Sequence, residues 1–383
     1  MRFDVFYVLI NPGRTRPWNE LLDEIRERTE LAEALGFDGC WLGEHHFDAE
    51  GLDQVPNPVM LATDLAARTS KIRFGIAAIN LPIWHPVRLA EDLAMLDWFS
   101  KGRLDVAFSR GILPGEVLTF NPDASRDDES KSRAIFQEHL DILKGCWTED
   151  PFSWSSDKYQ IPARGAKWEI PALAYCTAED GTLTGLPVIP QPLQQPHPPL
   201  YAVTQKEGGF RTSVHQGLGV ITSHPTRKVL EGLNAAYLDE VAKVGTKPVH
   251  FNRAATLVRD TCVAPTDAAA RALTEEVIQG RFDVIKRVRG LQEWLDIGED
   301  PSDPKLQALS GFDLMMERDY LLIGSPQTVT QRIIDIHNRY GVDHLILSLG
   351  RLDQESSVQT LELLANEVIP AVKAELGDAI KIG

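Results

Sequence analysis

Positive charge is scarce in this chain: 39 lysines and arginines face 55 aspartates and glutamates, a formal net charge of −16. Nucleic acid and anionic membrane surfaces both require a concentrated basic face, so neither is expected as a partner. Cysteine is sparse as well. Cys40, Cys146, Cys176 and Cys262 lie far apart without metal-type spacing, which argues against a disulfide framework and for reduced thiols in a cytoplasmic protein. No apolar run approaches the roughly 18 residues of a membrane span. The opening MRFDVFYVLINPG carries Asp4 inside its apolar run and reaches Pro12 early, so it reads as a first strand rather than a signal peptide. HxH, HExxH and GxGxxG patterns are missing, and no repeat of roughly 20 to 50 residues is apparent.

What is present is an ordinary globular composition, 43% hydrophobic and 25% charged over 383 residues, with strand-like and helix-like periods in alternation. Strands are predicted over 2–10, 37–43, 72–79, 104–109, 200–203, 218–222, around 253–263 and over 344–349. Helices are predicted over 19–35, 58–69, 86–99, 130–147, 207–216, 227–244, 266–286, 326–340 and 356–374. Residues 150–198, rich in Pro, Gly and aromatics, break the rhythm after the fourth strand and its helix and read as an insertion packed on the body. Residues 289–318 read as a second, irregular insertion between the seventh strand and its helix, and 320–323 as a short strand within it. The count of strands is then that of an α/β fold of the (β/α)8 TIM-barrel type, with 1–383 as a single domain. An open doubly wound sheet would want a glycine-rich phosphate turn after its first strand, and INPGRTRPW does not supply one.

In such a barrel the chemistry sits just past the strand C-termini. Polar clusters fall there at 44–46, 80–85, 109–116, 204–210 and 223–227, and the stretches 112–130 and 289–318 are lid candidates on the same face. The first cluster is Glu44, His45 and His46. Neighbouring residues on an extended strand point to opposite faces, so the two imidazoles do not readily chelate one ion, and no metal is expected. One imidazole is instead expected to enter the mouth as a general base or anion stabiliser, with Glu44 fixing its tautomer or filling a buried hydrogen-bond site. The bland reading is that both histidines satisfy neighbouring polar groups. Ser109-Arg110-Gly111 offers an arginine that can bind a phosphate through two parallel N–H bonds, or a salt bridge across the rim. VTQKEGGF at 203–210 opens a helix N-terminus beside Lys206, either an anion site or an ordinary loop. Small residues in FGIAAINLPIWHP leave room for a flat ring, or for close helix packing.

These blocks together resemble the bacterial luciferase-like family of flavin-dependent monooxygenases. GFDGCWLGEHHF resembles the family's second strand and histidine pair, and FGIAAINLPIWHPVRLAEDLAMLDWFSKGRLDVAFSRG its longest block, ending in the arginine that meets the flavin phosphate. LIGSPQTVTQRI followed by YGVDHLILS resembles the C-terminal block. The resemblance implies a (β/α)8 barrel, usually a homodimer, binding FMN at its C-terminal mouth. His45 resembles the catalytic histidine and His46 its neighbour. Ala77 and Ala78 match the small pair against the isoalloxazine, joined in several relatives by a non-prolyl cis bond. Arg110 and Arg133 match phosphate-binding arginines. Ser109 stands where luciferase has a reactive cysteine, and Gln205 and Lys206 where relatives carry an acidic or Ser pair. With Gly209 and Phe210 these complete the expected cofactor site.

The implied activity is a monooxygenase in which FMN, reduced by a separate and transient flavin reductase, reacts with dioxygen to give a flavin hydroperoxide that oxygenates a small organic substrate. His45 is expected to hydrogen-bond the flavin and move a proton, while Trp41, Trp84 and the 289–318 lid exclude water. Two alternatives stay open: a deazaflavin-dependent dehydrogenase or reductase on the same barrel, and a non-catalytic relative that sequesters flavin.

Overall fold

Short runs such as GCWL and HLILS are buried at every position, as expected of parallel strands covered on both faces. The computed structural model of the protein describes residues 1–111, 113–223, 225–245, 255–350 and 352–377. Nine strands form the main sheet: β1 Arg2–Tyr7, β2 Gly39–Leu42, β3 Arg73–Asn80, β4 Leu104–Ser109, β5 Leu200–Val203, β6 Gly219–Thr222, β7 Thr256–Val263, β8 Leu321–Gly324 and β9 His344–Ser348. Parallel pairing runs from β1 through β7, then to β9 and back to β1, so eight strands close a barrel. β8 stays outside that ring. It pairs with the later half of β7, Leu321 against Asp260 to Gly324 against Val263, on the edge that β6 occupies earlier. Helices alternate with the strands, giving the (β/α)8 architecture.

Local signals account for the helix boundaries. Helix Trp18–Leu35 stops at Gly36, whose left-handed φ of 84° lets its N–H close on Ala32 and Glu33 carbonyls. Asn57, Ser325 and Asp353 cap the helices that follow them. Apolar stripes of these helices pack on the strands' outer face, where Leu61, Leu65, Leu89, Leu93, Ile333 and Leu361 join the main core.

Inside the barrel, Trp41 and Tyr201 meet edge to face at 5.9 Å. Both need glycine opposite them: a Cβ on Gly75 would overlap the Trp41 indole, and one on Gly219 would lie 2.6 Å from the Tyr201 ring. A buried charge cluster closes the N-terminal end. Asp4 accepts from Arg2, Trp41 Nε1 and His344 Nε2 at 2.6–3.0 Å, and Asp105 from Arg2 and Arg73. Burial opposes ionisation of Asp4, but Arg2 and His344 outweigh it and hold its carboxyl well below the usual range. Trp41 is therefore an interior residue tied to that end, not a water-excluding group at the mouth.

The two lid candidates hold regular structure. Between 112 and 130 lie a short helix, Pro114–Phe120, and a 3-10 turn, Pro122–Ala124. Between 289 and 318 lie Leu291–Trp294, Pro304–Ala308 and Gly311–Glu317, whose Trp294, Phe312, Leu314 and Met315 build a core with Phe282 and Tyr320. That stretch is largely packed rather than a free lid. Residues 150–198 hold an antiparallel pair, Trp154–Ser155 with Gln160–Ile161, and a 3-10 helix Pro171–Cys176. Residues 253 and 254 of the predicted seventh strand, Ile112 and His224 lie outside the described residues. Among the described residues no helix is long and apolar enough to cross a membrane.

Candidate active site

β2 ends at Leu42, two residues before the acidic and imidazole cluster, so Glu44, His45 and His46 lie in the loop beyond the strand. Strand alternation therefore does not govern where the two rings point. Glu44 is buried and accepts from three groups: the Asn80 amide at 2.9 Å, Trp84 Nε1 at 3.0 Å and His46 Nε2 at 2.9 Å. A carboxylate only accepts, so the His46 ring is protonated on Nε2. Glu44 thus fastens the β2 loop to the end of β3, and it fixes the tautomer of His46, not of His45. The His46 ring also lies edge-on to Phe120 at 4.8 Å, and Phe120 stacks on Phe47 at 5.4 Å.

His45 turns toward a different acid. Its backbone amide donates to Val55 O at 3.0 Å, and its Nδ1 lies 3.4 Å from Glu116 Oε1. The same oxygen accepts the His46 amide at 2.6 Å. Burial pushes the His45 imidazole down, but Glu116, with Asp53 and Asp48, more than reverses this and raises it above its ordinary value. Glu116 sits on the helix Pro114–Phe120, within the 112–130 lid candidate. Pro at the first helical position of LPGEVLTF, followed by apolar Val117, Leu118 and Phe120, was the signal available.

The rim continues along β3 and β4. The Ala77–Ala78 peptide is cis, and pairing with β4 slips there, Ala77 facing Ala107 and Ile79 facing Phe108. Both alanines are partly buried. Ser109 Oγ donates to Asn80 Oδ1 at 2.7 Å and accepts the Gly111 amide at 3.2 Å. Gly111 has φ +79°, and a Cβ there would come within 2.6 Å of Val117, so the SRG turn docks directly on the Glu116 helix.

Arg110 and Arg133 converge on one carboxylate. Arg110 Nη1 lies 2.9 Å from Glu129 Oε2, and Arg133 Nε lies 3.2 Å from the same oxygen. Arg126 approaches the other oxygen at 3.5 Å, and Arg110 also donates to Ser132 Oγ at 3.3 Å. Hydrogen bonding from Arg110, against a burial penalty, and the charges of Arg133 and Arg126 hold Glu129 below the usual carboxylate range.

The 205–210 loop is arranged differently from expectation. The Gln205 amide folds onto β6, accepting Thr222 Oγ1 at 2.6 Å and donating to Ser223 Oγ at 3.2 Å. Gly209 packs on Thr204, where a Cβ would overlap the hydroxyl. The Phe210 ring, expected at the cofactor, is instead wholly buried with Val214, Val220 and Tyr237, because it lies on the inward face of helix Glu207–His215. Lys206 is exposed at the start of helix Glu207–His215. Among the described residues no group of three or more His, Cys, Asp or Glu is disposed to hold a metal ion.

A luciferase-like monooxygenase family pattern matches residues 1–344. The chain belongs to this family. Among relatives of this luciferase-like chain, the oxygenase component of the flavin-dependent trigonelline monooxygenase of Acinetobacter baylyi is 26% identical over 381 residues, 97% of this chain and 95% of that protein. The FMNH2-dependent dimethylsulfone monooxygenase of Pseudomonas putida is 29% identical over 362 residues, covering 92% and 88%. Among solved structures, the oxygenating constituent of 3,6-diketocamphane monooxygenase from the CAM plasmid of Pseudomonas putida, in complex with FMN, superposes with a TM-score of 0.76 at 20% identity, covering 97% of this chain and 98% of that one. The coenzyme F420-dependent tetrahydromethanopterin reductase of Methanopyrus kandleri gives 0.66 at 18% identity, covering 97% and 99%. Both structures share the luciferase-like fold.

Proposed function

We propose that this luciferase-like protein is the oxygenase of an FMN-dependent monooxygenase acting on a small organic substrate. The observation that carries the reading is the convergence of Arg110 and Arg133 on a single carboxylate, at the end of the strand next to the small-walled Ala77–Ala78 segment. An arginine pair that already holds an oxyanion fits a flavin phosphate, which presents the same acceptor geometry with more charge. Ser132 adds a hydroxyl and Lys206 a further cation elsewhere on the rim. Reduced FMN, delivered by a transient flavin reductase, would supply the dioxygen chemistry that places one oxygen atom in the substrate.

The chain's own residues have separable tasks. Glu44 holds the β2 loop against β3, so His45 and His46 are presented on a fixed backbone. His46 is occupied by that clamp. His45, with a third of its side chain open to solvent, is the imidazole left to hold or move a proton at the mouth. Phe47 and Phe120, which pack against the neighbouring His46 ring, would form an apolar lip that limits water. We assign residues 1–383 to one barrel domain, acting as a homodimer in the cytoplasm.

A fluorescence or calorimetric titration with FMN, reduced FMN and the deazaflavin tests the reading. Binding of FMN, and loss of substrate oxidation in His45→Ala when reduced FMN is supplied, are the expected results. Preference for the deazaflavin without dioxygen consumption would move the assignment to a dehydrogenase or reductase. Failure to bind any of the three would overturn it.

A further inference from the structure

We propose that Glu116 is the positioning residue of His45, setting which ring nitrogen carries a fixed proton and leaving Nε2 as the atom that exchanges protons at the mouth. The inference rests on the flavin reading of the same site and adds the device that would make His45 competent there. It starts from burial. Glu116 is only 2% exposed, yet its Oε1 receives a single hydrogen bond, from the His46 amide. Its Oε2 has no hydrogen-bond partner among the described residues, and neither has the buried Nδ1 of His45. A carboxylate buried with so few donors is poorly satisfied unless a cation faces it. The His45 imidazole is its ion-pair partner, at 3.4 Å.

That separation is long for a hydrogen bond and within reach of an ion pair. A carboxylate offers no proton, so the nitrogen facing it carries the hydrogen, and the neutral ring holds its lone pair on Nε2. When Nε2 takes up a proton, Glu116 stays ionised and the charge of the pair goes from −1 to 0. The same proton leaves again from Nε2.

The surroundings act in the same direction. Asp48 and Asp53, in the loop beyond β2, also favour the charged ring. Glu44, one residue away, is committed to His46, Asn80 and Trp84. The two adjacent histidines are therefore differentiated by their acids. Glu44 consumes the Nε2 of His46 and makes it a clamp, whereas Glu116 approaches His45 from the Nδ1 side and leaves Nε2 unused by any hydrogen bond among the described residues. The helix that delivers Glu116 is held in register by Val117, packed under Gly111.

Long-range proton–nitrogen NMR of the full chain labelled on histidine nitrogen tests this, with the His45 signal assigned from its loss in His45→Gln. In the wild type the neutral ring should show the proton on Nδ1. In Glu116→Gln the titration midpoint should fall by about one to two pH units, the usual effect of removing an opposite charge at this range, while FMN affinity stays within about threefold. A midpoint that does not move, or a neutral ring protonated on Nε2, would overturn the assignment. Should Glu116→Gln fail to fold by circular dichroism, the wild-type tautomer decides alone. If FMN binds neither protein, the flavin reading falls, and the titration still decides whether Glu116 governs His45.

Discussion

Replacing Glu129 by glutamine should tighten FMN binding by roughly five- to tenfold. The Glu129 carboxylate holds Arg110 at 2.9 Å, Arg133 at 3.2 Å and Arg126 at 3.5 Å, so a ligand phosphate must displace it from the two arginines assigned to the phosphate. Glu129 is half exposed, at 49%, and solvent screens the cluster heavily. Exposed pairs of this kind contribute about 0.2–1 kcal/mol each, and three that share one carboxylate do not add fully. Releasing about 1–1.4 kcal/mol corresponds to the stated gain in affinity. Thermal stability should move the other way, because Glu129 lies in the first turn of helix Glu129–Thr148, where an acid contributes about 0.3–1 kcal/mol. The assay is a fluorescence titration of both proteins with FMN and with riboflavin, which lacks the phosphate, at low and high salt. The gain should appear for FMN alone and shrink as salt screens the cluster. Equal tightening of riboflavin, or unchanged FMN affinity, would refute the assignment of Arg110 and Arg133 to the phosphate.

Glu44→Gln turns one acceptor into a donor facing Asn80, Trp84 or His46, and should lower stability by about 1–3 kcal/mol, read as a drop in the urea midpoint, with weakened FMN binding. Gly75→Ala drives a methyl into the Trp41 ring and should destabilise by about 1–3 kcal/mol or prevent folding; an unchanged midpoint would contradict the packing inside the barrel. For Asp4, whose folded carboxyl is held well below its ordinary value by Arg2 and His344 against burial, the sign follows from linkage. Its contribution is present above the unfolded pKa of about 3.9 and is lost only as pH falls through the lowered folded value. The stability difference between wild type and Asp4→Asn should therefore persist from pH 7 to about 4, and its collapse already near pH 5 would show that the network does not hold Asp4 as described.

Strands and long helices were legible because their signals are local and repeated. Helices Arg227–Val244 and Pro326–Tyr340 match the expected bounds to the residue, since apolar periodicity over four turns and a glycine stop specify them. The short helices at 114–120, 304–308 and 311–317 were not legible, because one or two turns carry no measurable period and are held by tertiary packing. The site shows the same division. Glu44, His45 and His46 stand out as a cluster, but which acid serves which imidazole depends on where β2 stops and on a helix that arrives 70 residues later in the chain. Arg110 alone is ambiguous between a phosphate and a rim salt bridge, Arg133 stands out only through the family resemblance, and only the fold puts both on Glu129. Phe210 lies one turn inside helix Glu207–His215, and which face of a nine-residue helix turns inward is decided by packing with Val214, Val220 and Tyr237 rather than by the adjacent loop.

The two ends of the barrel use buried acids in opposite ways, and the difference bears on where mutations should act. At the N-terminal end Asp4 and Asp105 each face several donors from different strands, so their charge is spent on closing the ring and carries no capacity to respond to a ligand. At the mouth Glu44 is spent in the same manner, binding β2 to β3. Glu116 is not: one oxygen serves a backbone amide, and its remaining capacity faces a ring that can change charge. A rim that must hold a reactive ligand benefits from this separation, because the rigid clamp fixes the backbone of His45 while the loosely satisfied acid lets its protonation vary. The separation is testable within a single pair of variants. Glu44→Gln should lower stability and affinity together with little displacement of the His45 titration, whereas Glu116→Gln should displace the titration with little change in affinity. If both variants altered all three quantities in proportion, the clamp and the positioning acid would be one structural unit, and the division of labour between the two carboxylates would fail.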